Sequence, residues 1–325
     1  MLSTSACYLG HVAAGQLDLL RARTRIERVL AAPDTPDATR EALGRVLEAR
    51  RFAADLGLEV QGQYTHYAEW PGDRLVTTLV TTRPGELTPA GFWFPLVGRV
   101  PYKGYFAPER AAREAEALRA QGYDVCVSPV RAYSTLGWFS DPVTGPMLRQ
   151  PAGRLVETVI HELVHATVFA PSQADFNESI ATYVGEEGRI AFFAAHEGAA
   201  AEARERGRVR AARAYRAALE QARLALAALY GEEPSVRERA DRRASVESAA
   251  RARIAQVEGL ADPAAAAHAA RLNDACLALA GTYGAHIQRY AEIREARDLD
   301  LAAFIRSARD AAGRADPLAH LAAGS

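Results

Sequence analysis

The sequence predicts an α+β protein, mostly helical, with a small mixed sheet in its first half and a helical array at its end. Three observations carry this. Between residues 59 and 100 the texture is aromatic and β-branched, in EVQGQYTHYAEW, RLVTTLVTT and GFWFPLVGRV, broken by Pro-Gly turns; such runs are strand signals. On either side of it apolar residues recur at helical spacing. After Ala191 the chain becomes rich in Ala, Arg and Glu, which favour helix almost everywhere.

The elements follow in order. Residues 8 to 58 read as two helices parted at Pro33-Asp34-Thr35-Pro36, because proline cannot continue the first helix's hydrogen bonds. Ala42, Val46, Leu47 and Phe52 mark the apolar face of the second. After the strands, Pro108 to Gln121 is an alanine-rich amphipathic helix stopped by Gly122, and Tyr123 to Val130 is strand-like. Arg154 to Phe169 lacks internal Gly and Pro and is closed by Pro171. Ser172 or Asp175 could cap a further helix running to about Gly185 or Gly188. The terminal array is interrupted at Gly231 to Pro234, at Asp262-Pro263 and around Gly281 and Gly284. Between 200 and 260, Glu interleaves with Arg, the pattern of a long solvated helical pair with a narrow apolar seam.

Composition narrows the function. The 39 basic and 40 acidic residues of the 325 leave a net charge of −1, so no global field draws nucleic acid or an anionic membrane surface. No uninterrupted apolar stretch reaches the ~18 residues of a spanning helix. The three cysteines, Cys7, Cys126 and Cys276, are far apart and form no CxxC pair, so neither a disulfide framework nor a thiolate zinc site is expected. A metal would be held by nitrogen and oxygen. Ser5-Ala6-Cys7 is like the end of a lipoprotein signal, without the charged and apolar segments that should precede it.

The chemistry concentrates in HELVH, residues 161 to 165. At about 100° per residue His161 and His165 lie roughly 40° apart around a helix and one turn apart along it, so both imidazoles can reach one ion. Glu162 stands beside that ion, where a carboxylate can take a proton from water. Zinc needs a third protein ligand and keeps an open position in catalytic sites. Glu178, in FNESIATYVGEEG, is the best candidate, since the chain can turn at Pro171 and return as a second packed helix; Asp175 and His196 are the rivals. The helix of Leu155, Val156, Val159, Ile160, Leu163, Val164 and Val168 is apolar nearly all round. Ionisable side chains on a buried helix are costly without partners, and a metal is a partner.

HELVHATVF, FNESIATYVGEEG and, before them, CVSPVRAYSTLGWFSDPV resemble the bacterial putative aminopeptidase family of zinc metallopeptidases. HExxH with Asn-Glu on a second helix is similar, more broadly, to thermolysin-like, glutamate-liganded zincins. The resemblance takes in YLGHVAAGQLDLL, PYKGYFAPERAAREAEALRAQGYDV and RLNDACLALAGTYGAH, hence most of the chain, with HELVH and FNES its specific blocks. It implies a zincin-type fold with the small sheet packed on the HExxH helix. It also implies one zinc ion on His161, His165 and Glu178, with Glu162 as general base and peptides as substrates. Two departures stand out. Thermolysin-like enzymes usually carry a longer insert before the ligand glutamate and an aspartate four residues beyond it, whereas here twelve residues intervene and Thr182 holds that place. The Gly-x-Met-Glu-Asn motif of well-known zinc aminopeptidases is absent, the only methionines being Met1 and Met147. Exopeptidase action therefore follows from the family's label alone, and endopeptidase action stays open. Members often look like lipoproteins with a cysteine just before the YxxxxxxGQ segment, where Cys7 falls. That implies a lipid anchor at Cys7 and a place in the cell envelope or periplasm, with the cytoplasm as the alternative.

In the expected reaction an additional donor stabilises the oxyanion; Tyr283 in GTYGAHIQRY is the first choice and His286 the second. Ala132 to Val143 could supply an edge strand for an extended peptide, with Trp138 and Phe139 lining a side-chain pocket or simply packing. Two regions result: 1–150, with the N-terminal helices, the sheet and the substrate-edge segment, and 151–325, with the metal-binding helices and the array. The two could equally form one continuous catalytic domain. Alternative functions are a non-catalytic zinc-stabilised helical interaction protein and a zinc hydrolase of a non-peptide substrate.

Overall fold

In chain order, α1 (Leu2–Arg21) leads through β1 (Arg23–Arg25) and the short α2 (Ile26–Ala31) to α3 (Asp37–Asp55). Next come β2 (His66–Ala68), β3 (Val76–Thr82), β4 (Phe92–Phe94), β5 (Gly98–Val100), β6 (Tyr102–Tyr105), α4 (Pro108–Ala120) and β7 (Asp124–Val130). Strand β8 (Val143–Thr144) and the single turn α5 (Gly145–Leu148) precede α6 (Ala152–Thr167) and α7 (Ala174–Glu197). The array comprises α8 (Ala199–Gly231), α9 (Val236–Ile254), α10 (Pro263–Ala269), α11 (Asp274–Gly284), α12 (Ile287–Ala296), α13 (Leu301–Ala312) and α14 (Pro317–Ala323). The computed structural model describes residues 2–94, 98–132, 141–232 and 235–324, and their side chains except those of 2–7, 94 and 98–100.

The fold is α+β and mostly helical. Its β content is divided. In one three-stranded sheet, ordered β1-β2-β8, β1 is antiparallel and β8 parallel to β2. A second is ordered β6-β3-β7, with Thr77 opposite Tyr105, and β4 and β5 form a separate antiparallel pair. Asp262-Pro263 starts α10 instead of merely interrupting the array: Asp262 caps it by accepting from the Ala265 N–H, and proline occupies a position where a missing N–H costs nothing.

The chain forms two compact units, each gathered from three stretches: 1–12, 77–128 and 206–284 in the smaller, 13–76, 129–205 and 285–325 in the larger. In the smaller unit α4 packs Ala111 and Ala115 against Leu79, Tyr105 and Val125. The seam of α8 and α9 is made by Ala218, Ala222, Leu226 and Leu229 with Ala250 and Ile254. Cys126 on β7 and Cys276 on α11 are joined by a disulfide, which overturns the expectation drawn from cysteine spacing. Partners 150 positions apart leave no local pattern; only the packing of α11 on β7 brings them together. Beside the bridge, buried Asp274 accepts from Tyr230, Arg243 and the Gly85 N–H.

In the larger unit α6 is buried along most of its length, from Leu155 to Val164, against α3 and α7. Helix α7 does not stop at Gly185 or Gly188 but continues to Glu197. Those glycines face α6. A Cβ at Gly188 would lie 2.9 Å from Ile160 Cδ1, and one at Gly185 would lie 3.1 Å from the Glu157 carbonyl and 3.3 Å from His161 Cβ. They are spacers that let two backbones approach, which outweighs their poor helix propensity. Neither Ser172 nor Asp175 caps α7; its N-cap is Gln173, whose side chain makes no capping bond.

Candidate metal centre

Helix α6 puts His161 and His165 on one face, and the link through Pro171 returns the chain as α7, which brings Glu178 opposite them. The two Nε2 atoms are 3.2 Å apart, and Glu178 Oε2 is 3.6 Å from one and 3.7 Å from the other. A point equidistant from three atoms so spaced lies about 2.0 Å from each, the length of a zinc bond to imidazole nitrogen or carboxylate oxygen. Among the described residues this is the one set of three His, Cys, Asp or Glu whose ligand atoms cluster, all within 4.8 Å. His165 is buried, and its Nδ1 has no hydrogen-bond partner among the described residues. Two imidazoles turned on each other and a shared carboxylate, mostly out of water, suit a cation better than an empty space. The N,N,O donor set fits zinc.

The electrostatics agree. Burial alone would raise the Glu178 carboxyl, but hydrogen bonds from His161 and His165 and their charges outweigh it and hold the group far below the usual range. Burial would likewise lower His161; its bond to Glu178 and the charges of Glu162, Glu178 and Glu157 win and raise it. The region is therefore negative enough to attract a positive charge.

Residues 7–317 match the family described as putative aminopeptidase. The chain belongs to this family. No curated protein and no solved structure matches it. Membership in the putative aminopeptidase family supports a peptidase-like function and a peptide as the class of substrate. No helix among the described residues is long and apolar enough to cross a membrane.

For this member of the putative aminopeptidase family, the remaining candidates are placed as follows. Asp175 is exposed in the first turn of α7, and His196 bonds the Phe192 carbonyl and stacks on its ring, so neither rival joins the cluster of His161, His165 and Glu178. Glu162 is half-buried on α6. Tyr283 is on α11 in the smaller unit, 39% exposed, whereas the histidines and Glu178 belong to the larger. His286 is in the larger unit, in the left-handed conformation at the start of α12, its ring 6.2 Å from that of Tyr290. Tyr133 to Ser140, with Trp138 and Phe139, lie outside the described residues, as does the side chain of Cys7.

Sequence reasoning missed Tyr64. This residue is 2% exposed and has a left-handed backbone (φ 56°). Burial, then the charges of Glu162 and Asp141, push its phenol well above the ordinary range. Its backbone N–H donates to the Asp141 carbonyl at 2.9 Å, while Gln63 Oε1 accepts from the Asp141 N–H at 2.7 Å. A bulky residue with positive φ was the only signal, and sequence does not display it.

Proposed function

We propose that this chain is a zinc-dependent peptidase in which His161, His165 and Glu178 hold the ion and Glu162 is the general base. The observation that supports this best is the convergence of two Nε2 atoms and one carboxylate oxygen at bonding distance from a common point. Zinc, when bound, supplies Lewis acidity, making water a better acid and polarising the scissile carbonyl. Glu162, one residue from His161 and not a ligand, takes the proton from the attacking water and delivers it to the leaving amine. A site that only braced the fold would fill its fourth position with protein and have no use for that carboxylate.

Tyr283 is the proposed oxyanion donor on sequence grounds. His286 is the alternative, favoured by its place in the same unit as the ligands and by contact with Tyr290, whose hydroxyl is 3.1 Å from Ser179 Oγ, next to Glu178. The Cys126–Cys276 disulfide supports an oxidising compartment such as the cell envelope or periplasm. Lipid attachment at Cys7 belongs to the same proposal and is read directly by N-terminal mass analysis. The deciding experiment is Glu162→Gln with metal analysis and a fluorogenic peptide panel. Hydrolysis should fall by about 10²–10⁴-fold or more with one zinc retained per chain; unchanged turnover would eliminate Glu162 as the base.

A further inference from the structure

Glu178 is useful as a ligand only if α7 presents it at a fixed distance from α6, and nothing about the carboxylate itself sets that distance. Its neighbour Asn177 does. Asn177 is 6% exposed and reaches back to Ala170, in the link between the two helices. Its Oδ1 accepts from the Ala170 N–H at 2.8 Å and its Nδ2 donates to the Ala170 carbonyl at 2.8 Å. Ala170 is itself 1% exposed, so this one amide supplies the acceptor for its buried N–H and joins the Gln173 N–H, at 3.2 Å, as a donor to its carbonyl. On the other side of Glu178, Ser179 Oγ meets the buried Tyr290 hydroxyl of α12. The ligand therefore stands between two anchored residues.

We infer that Asn177 is a positioning residue for the metal centre: its amide ties the chain leaving the histidine helix to the turn that carries Glu178, fixing the third ligand before any ion arrives. The inference rests on the reading of His161, His165 and Glu178 as metal ligands. Only an amide offers a donor and an acceptor side by side. Aspartate has the right length but sets a carboxylate against the Ala170 carbonyl. Serine keeps one bond at most; an Ala170 N–H that loses its acceptor is stranded in a buried segment, whereas the Ala170 carbonyl still has the Gln173 N–H at 3.2 Å. Supporting groups of this kind typically control metal affinity by about 10–100-fold.

The test uses the full chain, stripped of metal and titrated with Zn²⁺ against a chelator and with Co²⁺ followed by its visible spectrum. Asn177→Asp and Asn177→Ser should bind about 10–100-fold more weakly than wild type, keep the far-ultraviolet circular dichroism of a folded chain, and recover the wild-type Co²⁺ spectrum at high metal. Folded variants with wild-type affinity would overturn the inference. A second measurement needs no variant: in the metal-free wild type, the Ala170 amide should already be protected from hydrogen exchange and should gain little from Zn²⁺. Free exchange that slows only when Zn²⁺ is added would also overturn it. Wild-type protein that binds no ion would instead refute the metal centre itself.

Discussion

Arg189→Met gives the sharpest reading of how the helices that carry the candidate ligands are held. Arg189 on α7 is 4% exposed; its Nη1 donates to Glu157 on α6 at 2.9 Å and its Nε to Glu205 on α8 at 2.7 Å, with Nη2 also on Glu205. Glu157 keeps a second partner, Arg154, when Arg189 is removed. Glu205, 1% exposed, receives both Nε and Nη2 of Arg189. Breaking a buried pair on one side costs about 3–5 kcal/mol, because a charge held out of water loses its bidentate counter-charge. Methionine fills much of the arginine's volume, so little of that loss comes from packing. At roughly 2–4 °C per kcal/mol for a unit of this size, the metal-free variant should melt about 10 °C below wild type by circular dichroism. Arg189→Met combined with Glu205→Leu should recover most of the difference, since replacing a whole buried pair with apolar side chains is often neutral. A single variant melting within 2 °C of wild type, or a double variant no better than the single, would refute the argument that this charge network is effectively desolvated.

Two further outcomes follow from the electrostatics and the topology. Because its neighbours raise His161 above its ordinary 6.5, a proton competes for the ring; zinc affinity should fall as pH drops through that raised value and level off above it. The same shift adds stability to the metal-free protein below about pH 6.5, lost as pH rises through the folded-state value. Calorimetric titration between pH 6 and 8 with unchanged affinity and no proton release would contradict this. Replacing Cys126 and Cys276 together by alanine opens a link spanning 150 positions; chain entropy puts the loss at about 5 kcal/mol, readable as an earlier transition in urea. A shift below about 1 kcal/mol would remove the bridge from the account of stability.

Much of the fold and the candidate ligands could be read from residues alone, and for definite reasons. HELVH places its histidines one turn apart in any helix, and the apolar run around it dictates burial, so α6 was legible. Glu178 was legible because the link through Pro171 has few ways to return. The rest depends on distant contacts. Gly185 and Gly188 look like helix stops in the sequence, and only the approach of α6 makes them spacers. Cys126 and Cys276 carry no mutual signal until β7 and α11 are packed. The Asn177 bridge hides for a related reason: an asparagine before a glutamate looks like an ordinary surface pair until its amide is found on Ala170. Tyr64 is hidden because backbone sign is not written in residue type.

The most direct measurement is X-ray absorption at the zinc edge on protein purified with its native metal and reloaded after chelation. The account predicts one zinc per chain with nitrogen and oxygen scatterers at about 2.0–2.1 Å. The imidazole contribution should correspond to two rings and be lost in His161→Ala. Sulfur at about 2.3 Å, or a full set of bound zinc that survives both His161→Ala and Glu178→Ala, would contradict it.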